Sequence, residues 1–101
     1  MKNKKIKQKN SENGLYEAMG KLRTTEEARK FLQDLCTPAE LQAMADRWRI
    51  VPLIKAGVPY RQIYEETGVS VTTIGRVARF IEAGTGGYNL IYARVEDNDE
   101  R

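Results

Sequence analysis

The segment Glu66-Thr67-Gly68-Val69-Ser70-Val71 constrains this chain more than any other, because it closes one helix and opens the next. Glycine takes the left-handed backbone that ends a helix. A serine two residues later can accept the free amides of a new first turn. Ile63 precedes the pair, and Ile74, Val77, Ala78 and Ile81 follow at helical spacing. Read alone, Val69 to Ile74 is dense in β-branched residues and suggests a strand. A strand needs a partner, and the only other strand-like run lies at residues 88–95. The glycine stop, the serine cap and the apolar spacing favour helix.

A short helix from Tyr60 to about Thr67, a turn at Gly68-Val69-Ser70 and a second helix to near Ala83 make a helix-turn-helix over residues 59–83. Pro59 stands near its start and Gly84 beyond its end. Ile63, Val69, Ile74 and Val77 fall where such a motif needs apolar groups to lock its helices. Tyr64 puts bulk where these folds often carry a small residue. Ser70, Thr72, Thr73, Arg76 and Arg79 then lie on or beside the outer face, with Arg61 and Gln62 on the first helix. Hydroxyls and arginines of this kind reach base edges and phosphates in a major groove. The plainer reading is a solvated face over a structural apolar stripe.

The rest of the chain is also helical in pattern. Leu15, Ala18, Met19 and Leu22 recur at helical spacing, with Ser11 or Asn13 as the cap. Thr24 with Glu27 is a capping-box pattern, opening a helix with a stripe at Ala28, Phe31, Leu32 and Leu35. Thr37-Pro38 with Glu40 restarts the chain as a third helix, striped by Leu41, Met44, Ala45 and Trp48 and expected to reach about Ala56. Pro52 should kink it or end its regular part early, and Gly57 should stop it. After Gly84-Thr85-Gly86-Gly87 the segment YNLIYARV is apolar at both helical and alternating spacing, so short helix and extended strip stay open. The expectation is an all-α domain over residues 13–95, with a basic disordered arm at 1–12 and an acidic tail at 96–101.

Charge and composition narrow the function. The net charge is +3, with five lysines in the first ten residues and −3 over the last six, so the middle carries +1. A basic arm can touch phosphates; a solubilising tail is an equal reading. With no histidine, Ser-His and Cys-His nucleophilic catalysis are excluded. The only cysteine, Cys36, leaves no intrachain disulfide, which fits a reducing cytoplasm. No metal-ligand spacing is present, and no metal or cofactor is expected. Glu65-Glu66 are adjacent and do not face each other on a helix, so an enzyme is not expected. No apolar run approaches a membrane span, and no secretory signal is expected.

The stretch from Leu35 to Gly84 resembles the Trp repressor family, most closely its YerC/YecD-type branch, through TP before a long helix, RWRIV within it and TGVSVTTIGR in the reading head. The GTGGYNLIY segment is similar to that branch too. The resemblance implies an intertwined all-helical homodimer in which the first two helices and the last interlock with a second copy. Two reading heads would then meet half-sites about 34–36 Å apart. It also implies an effector pocket. Arg47 and Arg76 match the two arginines that sandwich L-tryptophan in the repressor, and Thr37 matches a further pocket residue. Val77 and Phe80 stand where a glycine and a serine admit the ligand, so free tryptophan is not expected as corepressor. Arg47 is expected instead in a structural ion pair with Asp46 or Glu82. Together these imply a dimeric, sequence-specific regulator of transcription, a repressor, acting on double-stranded DNA. The alternative is a helix-turn-helix used as a protein-interaction module.

Overall fold

The computed structural model describes residues 10–99. They form helices and no strand: α1 (Ser11–Met19), α2 (Thr25–Leu35), α3 (Pro38–Arg49), α4 (Val51–Lys55), α5 (Tyr60–Thr67), α6 (Val71–Ala83) and α7 (Gly87–Asp99). The lysines of the expected basic arm lie outside the described residues, as do Glu100 and Arg101. The helical part is wider than residues 13–95. Ser11 is already helical, and α7 runs through the expected acidic tail to Asp99. The chain divides into an N-terminal unit ending at Pro38 and a C-terminal unit beginning at Ala39.

In the N-terminal unit, neither Ser11 nor Asn13 caps α1. Asn10 holds that position without a side-chain bond, and its carbonyl accepts from Gly14 N–H at 2.9 Å. The cap of α2 is where the sequence puts it. Thr24 Oγ1 accepts from Glu27 N–H at 3.0 Å, and Glu27 Oε1 reaches back to Arg23 N–H at 2.8 Å, one residue further than a standard box. Arg29 Nε donates to Glu26 Oε1 at 3.1 Å, both ends exposed, a pair worth little. No residue of α1 or α2 is buried.

The C-terminal unit has a dry core. Ile50, Val51, Ile63, Val69, Ile74 and Val77 are buried, with Trp48, Leu53, Ile54, Val58, Ile81, Tyr88 and Tyr92 packed partly against them. Each fully buried Val or Ile contributes about 1.5–3 kcal/mol. Among the described residues, none that is polar or charged is buried, and no buried polar side-chain atom lacks a partner. Helix α6 is the hub, packing against α4, α5 and α7.

The long third helix is interrupted as Pro52 predicts: its regular part ends at Arg49, and a short helix continues from Val51 to Lys55, because the missing N–H of Pro52 cannot bond to the carbonyl four residues back. The stripe expected from Leu41 to Trp48 is only partly covered and needs correction at its middle: Met44 is 37% exposed and Ala45 is exposed, while Leu41 and Trp48 are half-buried and Trp48 packs partly against the core. The buried residues are Ile50 and Val51, at the break itself, fully enclosed.

Beyond the break, Gly57 sits at φ 81° and closes a Schellman motif, with Val58 N–H on Leu53 O at 3.1 Å and Gly57 N–H on Ile54 O at 3.0 Å. The segment left open after Gly84 is helix. It docks through a polar chain: Lys55 Nζ donates to Asn89 Oδ1 at 2.6 Å, and Asn89 Nδ2 donates to Ile81 O at 2.9 Å. The Lys55 ammonium also stands 5.3 Å from the Tyr92 ring centroid.

Candidate nucleic-acid interface

Helices α5 and α6 meet through the four residues expected to lock them: Ile63, Val69, Ile74 and Val77 are all buried. Tyr64 does not disturb that contact, because it is 49% exposed. The turn is fastened locally. Gly68 has φ 79° and ψ 0°, the left-handed conformation that a side chain would resist. Thr67 Oγ1 donates to Ile63 O at 2.7 Å and accepts from Val69 N–H at 3.1 Å, a latch that the sequence reading did not single out. Threonine near a helix end commonly makes such bonds, which is the signal that could have found it. Ser70 then caps α6, its Oγ accepting from Thr73 N–H at 3.1 Å.

The outer face of α6 follows from this register. Thr72, Arg76 and Arg79 are spaced by four and three residues, so they share one face, opposite Ile74, Val77 and Ile81. All three are exposed, as are Arg61, Gln62 and Ser70, while Thr73 is half-buried. Among the described residues, Arg61, Arg76 and Arg79 have no acidic partner within ion-pair distance. Gln62 Nε2 donates to Glu66 Oε2 at 2.8 Å along α5. Ser70 and Thr73 engage each other, with Ser70 Oγ donating to Thr73 Oγ1 at 3.1 Å. Thr72 is thus the hydroxyl on this face that is not committed to the cap.

A second feature lies behind the turn. Ala43, Asp46, Arg47, Gly68, Val69, Ser70 and Thr73 line a half-open cleft of about 170 Å³, below the roughly 300–1,000 Å³ usual for ligand clefts. Of the residues expected around an effector, Arg47 alone lines it. Arg76 is exposed on α6, Val77 is 1% exposed within the core, Phe80 is 50% exposed, and Thr37 belongs to the N-terminal unit. The ion pair expected of Arg47 is not formed with either Asp46 or Glu82 among the described residues. Asp46 Oδ1 instead accepts from Gln42 Nε2 at 2.9 Å, its neighbour one turn back, which is locally closer on the helix surface than residue 47. No group of three or more His, Cys, Asp or Glu among the described residues could hold a metal ion.

The sequence profile of the Trp repressor proteins matches residues 11–96, which include both the helix-turn-helix and the helices flanking it. The chain belongs to the Trp repressor family. Its relatives agree. The uncharacterized protein YerC of Bacillus subtilis (strain 168) is 34% identical over 85 residues, covering 84% of this chain and 82% of YerC. A crystal structure of a Staphylococcus aureus protein assigned as a Trp repressor superposes with a TM-score of 0.80 at 33% identity, covering 95% of each chain. A TrpR-like protein from Eubacterium eligens ATCC 27750 gives 0.77 at 31% identity, covering 83% of this chain and 87% of that one. In this Trp repressor family member the all-α fold and the helix-turn-helix are therefore as the sequence implied. Among the described residues, no helix is long and apolar enough to cross a membrane.

Proposed function

We propose that this Trp repressor family member binds double-stranded DNA sequence-specifically as a homodimer and represses transcription. The observation that carries the reading is the face of α6: Thr72, Arg76 and Arg79 in line, exposed, with no acid neutralising either arginine among the described residues. Arg61 and Gln62 on the first turn of α5, with Ser70 and Thr73 at the cap, complete the surface that would meet phosphates and base edges. The homodimer is supported by apolar groups that the single chain leaves wet: Leu15, Met19, Leu35, Leu90, Ile91 and Val95 are 37–51% exposed. Such helical faces suit a second copy of the chain. In this reading the protein acts in the cytoplasm, where its DNA target would lie. Free L-tryptophan does not gate it in this reading, because Val77 belongs to the core and Phe80 adds bulk beside Arg76. No other cofactor is invoked.

The test is fluorescence anisotropy on genomic fragments over a salt series, with and without L-tryptophan. Affinity should fall steeply as salt rises, and Arg79→Ala, which removes one contact from each of two copies, should reduce the log–log slope by about 2. Salt-indifferent binding, or Arg79→Ala binding like the parent, sinks the reading. Exposed Tyr60 and Tyr64 on α5, at 42% and 49%, favour a second reading, in which the reading head docks a protein. Partners that survive nuclease treatment in a pull-down, but not substitution of those tyrosines, would support it.

A further inference from the structure

Gly75 is half-buried in the middle of α6, where glycine weakens a helix relative to alanine. The fold does not require it. A Cβ at residue 75 would meet only Tyr60 Cε2, at 3.9 Å, an ordinary packing distance, and the backbone there is helical. The space left by the missing side chain is therefore open to a group outside the folded chain. Its surroundings say what kind of group that is. Val71 stands one turn back on the same face, 51% exposed at the first position of α6. The Tyr60 ring, 42% exposed, forms the opposite wall. Thr72 and Arg79, one turn to either side, border the same strip. The result is a shallow notch on the reading helix, apolar between Val71 and the Tyr60 ring, with Thr72 and Arg79 on its rim. A phosphate finds no cation at its base, so a backbone oxygen is a poor occupant.

We propose that the Val71–Gly75–Tyr60 notch reads thymine by receiving its C5-methyl group. Thymine alone among the bases presents a methyl in the major groove. The inference rests on the DNA-binding reading above and assigns one element of its specificity. Val71 and Tyr60 supply the apolar contact, and Gly75 allows the helix to approach closely enough to make it.

The test uses the full-length chain and a duplex enriched by it from a randomised pool. Each thymine is replaced in turn by deoxyuridine, which keeps the pairing and removes only the methyl. One thymine per half-site should lose about fourfold in affinity, the worth of one buried methyl-sized group. Gly75→Ala should weaken binding to that duplex by about tenfold and abolish the thymine–uridine difference. The same variant should raise the melting midpoint by about 3–6 °C, since alanine suits the helix better. That opposite movement of stability and affinity separates reading from a merely structural role. Val71→Ser, at an exposed position, should also abolish the difference. The inference is overturned if every deoxyuridine duplex binds as tightly as its thymine parent, or if Gly75→Ala binds like the parent. If no duplex is enriched at all, the DNA-binding reading itself fails, and this inference with it.

Discussion

Helices α2 and α6 are of similar length, 11 and 13 residues, and each is capped by a hydroxyl that accepts the amide three residues on. Both carry apolar stripes. Yet α6 buries Ile74 and Val77, while α2 leaves Phe31 and Leu32 half-buried and Leu35 50% exposed. The difference lies in what each helix faces. Helix α6 has α4, α5 and α7 around it within one unit, so its stripe is enclosed. The N-terminal unit has no buried residue in either helix, so its stripes contribute little until something covers them. Amphipathicity thus marks a surface for burial without burying it, and the two units use it at different stages: one in folding, the other, in our reading, in assembly.

Three changes would break or sharpen this contrast. The largest effect is expected at the hub. Ile74→Ala removes a fully enclosed side chain that α4, α5 and α7 pack around, and should cost about 2–5 kcal/mol in urea unfolding followed by circular dichroism. A loss as small as that of an exposed residue would mean α6 is not the centre of the fold. Next comes the N-terminal unit. Leu15→Ser with Met19→Ser, at positions 38% and 37% exposed, should leave the helical signal of the C-terminal unit in place. Light scattering should show dissociation already at a protein concentration about tenfold higher or more, because two apolar groups per copy are no longer buried between copies. An unchanged association would deny those helices their part in a dimer. The smallest effect is at the cap shared in kind by both helices: Ser70→Ala should cost about 1 kcal/mol of stability. If it costs much less, water or a neighbouring group satisfies the Thr73 amide equally well.

Much of the reading head was legible in the sequence because its turn and cap rest on interactions within four residues, and its apolar lock follows the helical spacing that these fix. Gly68 had to be left-handed, Ser70 had to cap, and Ile63, Val69, Ile74 and Val77 had the spacing of a locked pair; all hold in the structure. The third helix was less legible. Its stripe was drawn through Met44 and Ala45, but the break at Ile50 redirects the chain, and Ile50 and Val51 enter the core instead. For the candidate interface the sequence singled out arginines and hydroxyls, which the structure leaves exposed except for half-buried Thr73, and it did not single out Val71, which enters only through our proposal. An apolar residue directly after a capping serine, off the core stripe, was the available signal, hidden by the β-branched run around it. Of the pocket residues inferred from resemblance, only Arg47 lines the observed cleft.

The sequence by itself determined where α2, α3, α5 and α6 start and where α5 and α6 stop, since caps, a left-handed glycine and Pro38 act on their own neighbours. Only the tertiary structure decided which apolar faces are enclosed, that residues 87–99 are helix held by Lys55 and Asn89, and that Arg47 stands without the expected ion pair. Those outcomes depend on what stands across from each residue, often more than 30 positions away, as Asn89 is from Lys55 at a separation of 34. No local pattern carries that information.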